Sequence, residues 1–238
     1  MQRRPHINSH GGQTGLTLIE LLIAIAVGLV LIAGLLGVLV FSGQTDRLMG
    51  ESARMQENAR FALDAIGREL RMAGFRSDIT TPVASIFPAD SKFPAAGQII
   101  NGTNNSISLR YQGSPDGTVR DCLGNPVPAG TTVTIDFSVV DQELICQSSL
   151  GGSTALVDRV GELRVRYGMN GSAGYADATA VTNWAAVTSL NVELLFVSER
   201  DGVTTGQQAY TIGGVTHTPT DRRLRRVYGA VVTLRNHP

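Results

Sequence analysis

The chain has 238 residues, 42% of them hydrophobic and 17% charged, and its 20 Lys and Arg cancel its 20 Asp and Glu. A formal charge of zero at pH 7 excludes a polycationic nucleic-acid binder and an acidic disordered tail. The length leaves room for one globular unit plus an appendage, or two small units, and the 27 glycines lean towards loops and β-structure.

Residues 21–41 are apolar without interruption and carry no charge. At ~1.5 Å per residue they just span a bilayer, so a freely soluble cytosolic protein is not expected. Ahead of them, residues 1–15 hold Arg3 and Arg4 and no acid. Positive charge there keeps that end in the cytoplasm and sends the remainder outward. A secretory signal would have a shorter apolar core and a small-x-small cleavage site, which Val40-Phe41-Ser42-Gly43 does not supply. A plain signal anchor is one reading of this segment.

No proline occurs between Leu16 and Ala73, a stretch that as one helix would measure roughly 85 Å. Gly28, Gly34, Gly37, Gly43 and Gly50 interrupt it, either as soft points costing up to about 1 kcal/mol each or as close-packing positions of a membrane helix. From Ser52 the pattern becomes one-sided: Ala59, Ala62, Leu63, Ile66, Leu70 and Ala73 step by three and four, with Arg60, Asp64, Arg68 and Arg71 off the stripe. One face should therefore lie on a sheet, and Gly74 should cap the helix.

Beyond Phe75, β-branched or alternating stretches predict strands at 106–111, 132–139, 143–146, 163–167, 190–197 and 226–234. The Gly-, Ser- and Thr-rich runs 113–130, 169–183 and 201–220 read as surface connections. Cys122 and Cys146 both fall in this region, which the membrane orientation places in an oxidising compartment. A disulfide between them would close a loop of about 25 residues, worth roughly 3–4 kcal/mol. Two buried free thiols or a metal site are the alternatives.

Catalytic signatures are missing. His6 and His10 lie near the start, His217 and His237 near the end, and none has metal-ligand spacing. No nucleophile elbow, phosphate-cradling loop or dinucleotide fingerprint occurs, and Asp116, Asp121, Asp136 and Asp141 read as turn or strand-edge acids. Neither enzyme activity nor a cofactor or metal is expected. Arg222, Arg223, Arg225 and Arg226 form the one basic cluster, with no aromatic interleaved for base stacking. It reads as a solvated strand edge or a pairing surface for acidic residues, and nucleic acid is not the expected partner.

The junction Gly15-Leu16-Thr17-Leu18-Ile19-Glu20, set between a basic leader and the apolar run, resembles the type IV pilin family. Prepilins of that family carry Gly, usually Phe, then Thr-Leu-Ile-Glu. The resemblance implies cleavage by a membrane peptidase between Gly15 and Leu16 and methylation of the new amino terminus. Leu16 stands where most members have Phe. Many major pilins also have Pro where this chain has Gly37, so a glycine hinge could replace a proline one. Thr17-x-x-Glu20 spells a capping box as well, but a cap worth about 1 kcal/mol does not offset the roughly 2.5–3.5 kcal/mol for a carboxylate in a membrane segment. The family implies a partner for Glu20 in the amino terminus of a neighbouring subunit. Residues 60–75 and 221–236 are similar to the corresponding helix and last strand of PilW-type minor pilins.

Membership implies an α+β fold: a long amino-terminal helix, membrane-spanning in its first half, packed on an antiparallel β-sheet head. The expected divisions are a leader at 1–15, a membrane and filament-core helix at 16–41, an amphipathic helix at 42–74 and a periplasmic head at 75–238. The implied function is a non-catalytic minor pilin that helps prime a type IV pilus, held in the inner membrane and reaching the cell surface after assembly. The implied partners are other minor pilins, the major pilin, the prepilin peptidase and a tip-associated adhesin. A J-type pseudopilin of type II secretion and a membrane-anchored DNA- or ligand-binding module are the rival readings.

Cleavage at this junction removes Arg3 and Arg4, which takes the formal charge from zero to −2. Intact-mass measurement of membrane-extracted protein should show loss of the leader through Gly15 and gain of one methyl group. A retained leader, or a cut near Ser42, contradicts the pilin resemblance.

Overall fold

The structure, a computed structural model, describes residue 15 and residues 17–237. The expected leader apart from Gly15, and Leu16, the expected methylated residue, lie outside the described residues. The chain divides into two compact units, Met1–Asp46 and Arg47–Pro238.

Helix α1 (Leu18–Met72) has 55 residues and belongs to both units. In the first unit Leu18, Leu22, Leu29, Leu36 and Phe41 are each more than half exposed. In the second unit Met55, Ala59, Ala62, Ile66, Leu70 and Ala73 are fully buried along one face. The three- and four-residue steps of the sequence produce that stripe, which shares one core with residues of both large sheets. Each of Ile66 and Leu70 contributes about 1.5–3 kcal/mol on burial.

The head is β-rich. After α2 (Val83–Ile86) come β1 (Ile100–Gly102), β2 (Ser106–Gln112), β3 (Thr132–Val140), β4 (Glu143–Ser148) and β5 (Ser153–Val157). These five strands form an antiparallel meander in chain order. A second antiparallel sheet contains β6 (Val160–Met169), β7 (Tyr175–Ala176), β8 (Val187–Val197) and β11 (Arg225–Thr233), in the order β11-β8-β6-β7. Strands β9 (Tyr210–Ile212) and β10 (Val215–His217) make a separate hairpin. Alternation drives the burial. In β3, Val133, Ile135 and Phe137 face the core while Thr134, Asp136 and Ser138 are only partly covered.

Each of the six predicted strands corresponds to one of these, while β1, β5, β7, β9 and β10 were not expected. The run 201–220, read as a connection, contains the β9–β10 hairpin, whose turn is Gly213-Gly214 with φ of +60° and +83°. Two glycines in that region of φ between paired strands suit a tight hairpin turn. A Cβ on Gly213 would also come within 2.7 Å of the Arg164 side chain. The hairpin covers the outer face of the second sheet, where Ile212 buries Leu195 and Val197.

Three polar devices tie the head to the end of α1. Gly74 takes φ +76° and donates its N–H to Arg110 O, and the Asn236 amide donates to Arg71 O and Ala73 O at 3.2 and 3.3 Å. The last residues of the chain thereby satisfy carbonyls that the helix leaves open. Arg110, 2% exposed on β2, donates to Gln98 O, Pro88 O and Phe87 O and pairs with Asp90, and its guanidinium sits 4.5 Å from the Phe93 ring centre. One side chain thus pins the segment between α1 and β1. The third device, at Glu69, belongs to the cleft described below.

Gly74→Ala and Gly117→Ala separate strain from packing. Both residues have positive φ, but a Cβ on Gly117 meets nothing, whereas one on Gly74 meets the Asn236 carbonyl and comes within 2.8 Å of Ile99 Cδ1. Gly117→Ala should cost about 1–2 kcal/mol, and Gly74→Ala about 1–3 kcal/mol more. Urea unfolding of the detergent-solubilised protein, followed by Trp184 fluorescence, measures both, and equal losses would show that Asn236 gives way freely.

Candidate functional site

Around the expected processing junction, Gly15 and Thr17 are exposed. Thr17 opens α1: its carbonyl accepts from Glu20 N and Leu21 N at 3.1 and 3.2 Å, and its hydroxyl accepts from Glu20 N at 3.4 Å. The reciprocal arm of a capping box, from the Glu20 carboxylate to the Thr17 N–H, is not formed among the described residues. Glu20 is exposed and leaves its carboxylate available. α1 is long and apolar enough to cross a membrane, and none of its most apolar stretch is buried. An apolar helix bearing one carboxylate near its start can insert in lipid or among like helices, and the carboxylate can meet a cation there.

In the head, a disulfide joins Cys122 to Cys146 on β4. It anchors the 113–130 connection, which is less free than its composition suggests. Asp121, 3% exposed, accepts from the N–H groups of Leu123 and Asn125 at 3.0 and 2.8 Å, and Val119 and Val127 are buried. Asp116 likewise organises a turn, accepting from Thr118 N, while Asp136 binds Lys92 and Ser108.

Beside the disulfide lies a half-open cleft of about 700 Å³, walled by Met72, Phe75, Val119, Cys122 and Leu123, with Glu69 in its lining. Glu69 is 2% exposed. Sequence reasoning passed over it, although a signal existed: it falls three residues after Ile66 and four before Ala73, on the apolar stripe itself. The Tyr111 hydroxyl lies 2.8 Å from Glu69 Oε2 and 3.0 Å from Arg120 O. That hydroxyl has one proton for two acceptors. A protonated Glu69 supplies the second, giving a chain from Glu69 through Tyr111 to Arg120 O. Burial pushes the Glu69 carboxyl up, opposed by the Tyr111 hydrogen bond and by Arg68, whose Nε is 3.6 Å away. Burial also pushes the Tyr111 phenol up, and the neighbouring Glu69 adds to it.

The basic cluster is partly spent within the chain. Arg225 forks onto Asp221 at 2.5 and 2.8 Å, and those bonds hold the Asp221 carboxyl well below the usual range. Asp201 accepts from the backbone N–H of Arg222, which leaves that guanidinium outside the bond. His217 stacks on Tyr210 with ring centres 5.1 Å apart. Among the described residues no group of three His, Cys, Asp or Glu is placed to hold a metal ion.

The family model for Type IV Pilus-assembly protein W matches residues 133–236, from β3 through β11. The model of the prokaryotic N-terminal methylation motif matches residues 11–36. No curated protein matches the chain. Among solved structures, the type IV-like pilin TTHA1219 from Thermus thermophilus is similar at 15% identity over 78% of this chain and 99% of that chain, with a TM-score of 0.48.

The Glu69 arrangement sets a pH dependence. Its folded value lies above its ordinary 4.5, so the stability it contributes is complete below that value and is lost as pH rises through the elevated one. Glu69→Gln, which can donate to Tyr111 without titrating, should flatten that alkaline loss. Tyr111→Phe should cost about 1–3 kcal/mol by stranding Arg120 O and Glu69. Unfolding free energies measured across pH test this, and an unchanged pH profile in Glu69→Gln would show that Glu69 titrates normally.

Proposed function

We propose, from the premise that the chain is a type IV pilin of the PilW type and a minor pilin in pilus assembly, that it primes the filament with sister minor pilins and stands near its tip. The observation that carries this reading is the prepilin motif leading into an exposed apolar helix with one free carboxylate, on a chain whose head matches the pilus-assembly family. The prepilin peptidase releases Leu16 as the amino terminus, and methylation marks it. The helix then leaves the inner membrane for the filament core, where Glu20 meets the terminal amine of a neighbouring subunit. The head, on the periplasmic side, contacts other minor pilins, the major pilin and a tip-associated adhesin. Its work is structural, and the disulfide suits the oxidising compartment in which the head would fold.

Glu20 separates the charge role from the capping role. Glu20→Gln keeps a polar side chain at the helix start but removes the charge, so cleavage and membrane insertion should persist while incorporation into pili falls. Glu20→Asp keeps the charge on a shorter arm and should fall between, because an ion pair in a low-dielectric bundle weakens steeply with distance. The readout is the amount of the protein in sheared pili relative to its membrane level. Wild-type incorporation by Glu20→Gln would make the carboxylate dispensable.

A further inference from the structure

We propose that the free edge of β11 is a docking edge, taking an extended strand from another pilin head whose strand is flanked by carboxylates. This rests on the pilus-assembly reading above and names the surface it would use. β11 closes one side of the second sheet and pairs with β8 alone. The register fixes which backbone groups are spare: Ser198 N donates to Leu224 O and Leu234 N donates to Thr188 O, so even-numbered residues of β11 turn towards β8. The N–H and C=O of Arg225, Val227, Gly229, Val231 and Thr233 therefore turn away, and among the described residues none of them makes another backbone hydrogen bond. The β9–β10 hairpin packs on the face at Val227, while Gly229, Val231 and Thr233 are exposed, Val231 by 58%.

The other edges are blunted in the ways that keep sheets from pairing at random. β1 has three residues, β7 has two, and the short β5 is bulged against β4. β11 has nine residues, and its ladder with β8 runs without a bulge. From Val227 to Thr233 it carries neither proline nor charge.

Arginines stand only at its ends, and they select the occupant. Arg226 and Arg235 make no ion pair among the described residues. A second copy of β11 offers no acid between Arg225 and Arg235 to pair with these arginines, which stand on opposite faces of the strand. A second copy therefore leaves both arginines without a partner, which disfavours it beside a strand with acidic ends. A strand from a different pilin, uncharged in the middle and acidic at both ends, completes the ladder and pairs both arginines.

The test extracts the full-length chain in detergent, alone and with each sister minor pilin of the same cell in turn, and reads amide exchange residue by residue by mass spectrometry. With one sister, the amides of Gly229, Val231 and Thr233 should slow, while those of Ala230 and Val232, already bonded to β8, should change little. Val231→Pro removes an outward N–H without touching the β8 ladder and should weaken capture by about tenfold. Arg226→Glu with Arg235→Glu should also weaken it, and Arg226→Lys with Arg235→Lys should not. A sister that binds without slowing these amides, with Val231→Pro silent, overturns the edge and leaves the pilus reading standing. Capture by no sister overturns both. Slowing that appears in the chain alone and grows with its concentration makes the occupant a second copy and overturns the partner assigned here.

Discussion

The main core of the head includes the buried face of α1 from Met55 to Ala73 and residues of both large sheets. The same helix is apolar on every side in its first unit and apolar on one side only in its second, and these demands conflict unless they are separated along the chain. The first solution needs lipid or other helices as its solvent, since an exposed apolar surface of that extent is not stable in water. The second needs a β-sheet. Charged residues set in from Asp46, the last residue of the first unit, and Arg47, the first of the second, and from there the helix can be half solvated.

Buried polar groups are concentrated where separate segments must meet. Arg110 joins β2 to the segment before β1, Glu69 and Tyr111 join α1 and β2 to the 118–124 turn, and Asp121 shapes that turn next to the disulfide. Each charged group has several partners, so its burial is tolerated, and removing any partner strands the rest. Apolar packing alone would allow the loops to settle in several ways. These groups require one.

The sequence made α1, its buried stripe and its cap legible because helical period and Gly74 are local signals. The six longer strands were legible for the same reason. What escaped was short or non-local. β9 and β10 have three residues each, and only Gly213-Gly214 announced them. β5 has five residues and follows Gly151-Gly152, both at positive φ, and no strand was expected there. Arg110 gave no warning, because most of its partners are backbone carbonyls that any residue would supply. Glu69 could have been found by asking why a carboxylate stood on an apolar stripe. Of the site residues named from sequence, the cysteines are joined in the structure, and Glu20 keeps a carboxylate unspent by its own helix start.

An assembly subunit has to stay separate before it joins and hold firmly afterwards, and the distribution of charge on this chain serves both needs. Several unlike charges in the second unit pair with each other, as Arg225 with Asp221 and Arg159 with Glu51 show. Such pairs add little to stability at the surface, but they remove cations and anions that would otherwise recruit partners indiscriminately. The arginines left over at the ends of β11 act through repulsion as much as attraction. They cost a like-charged edge more than they give a neutral one. Selectivity at a sheet edge cannot come from the backbone, whose hydrogen bonds are the same for every sequence, so it has to come from side chains at the margins, which is where this strand keeps its charge.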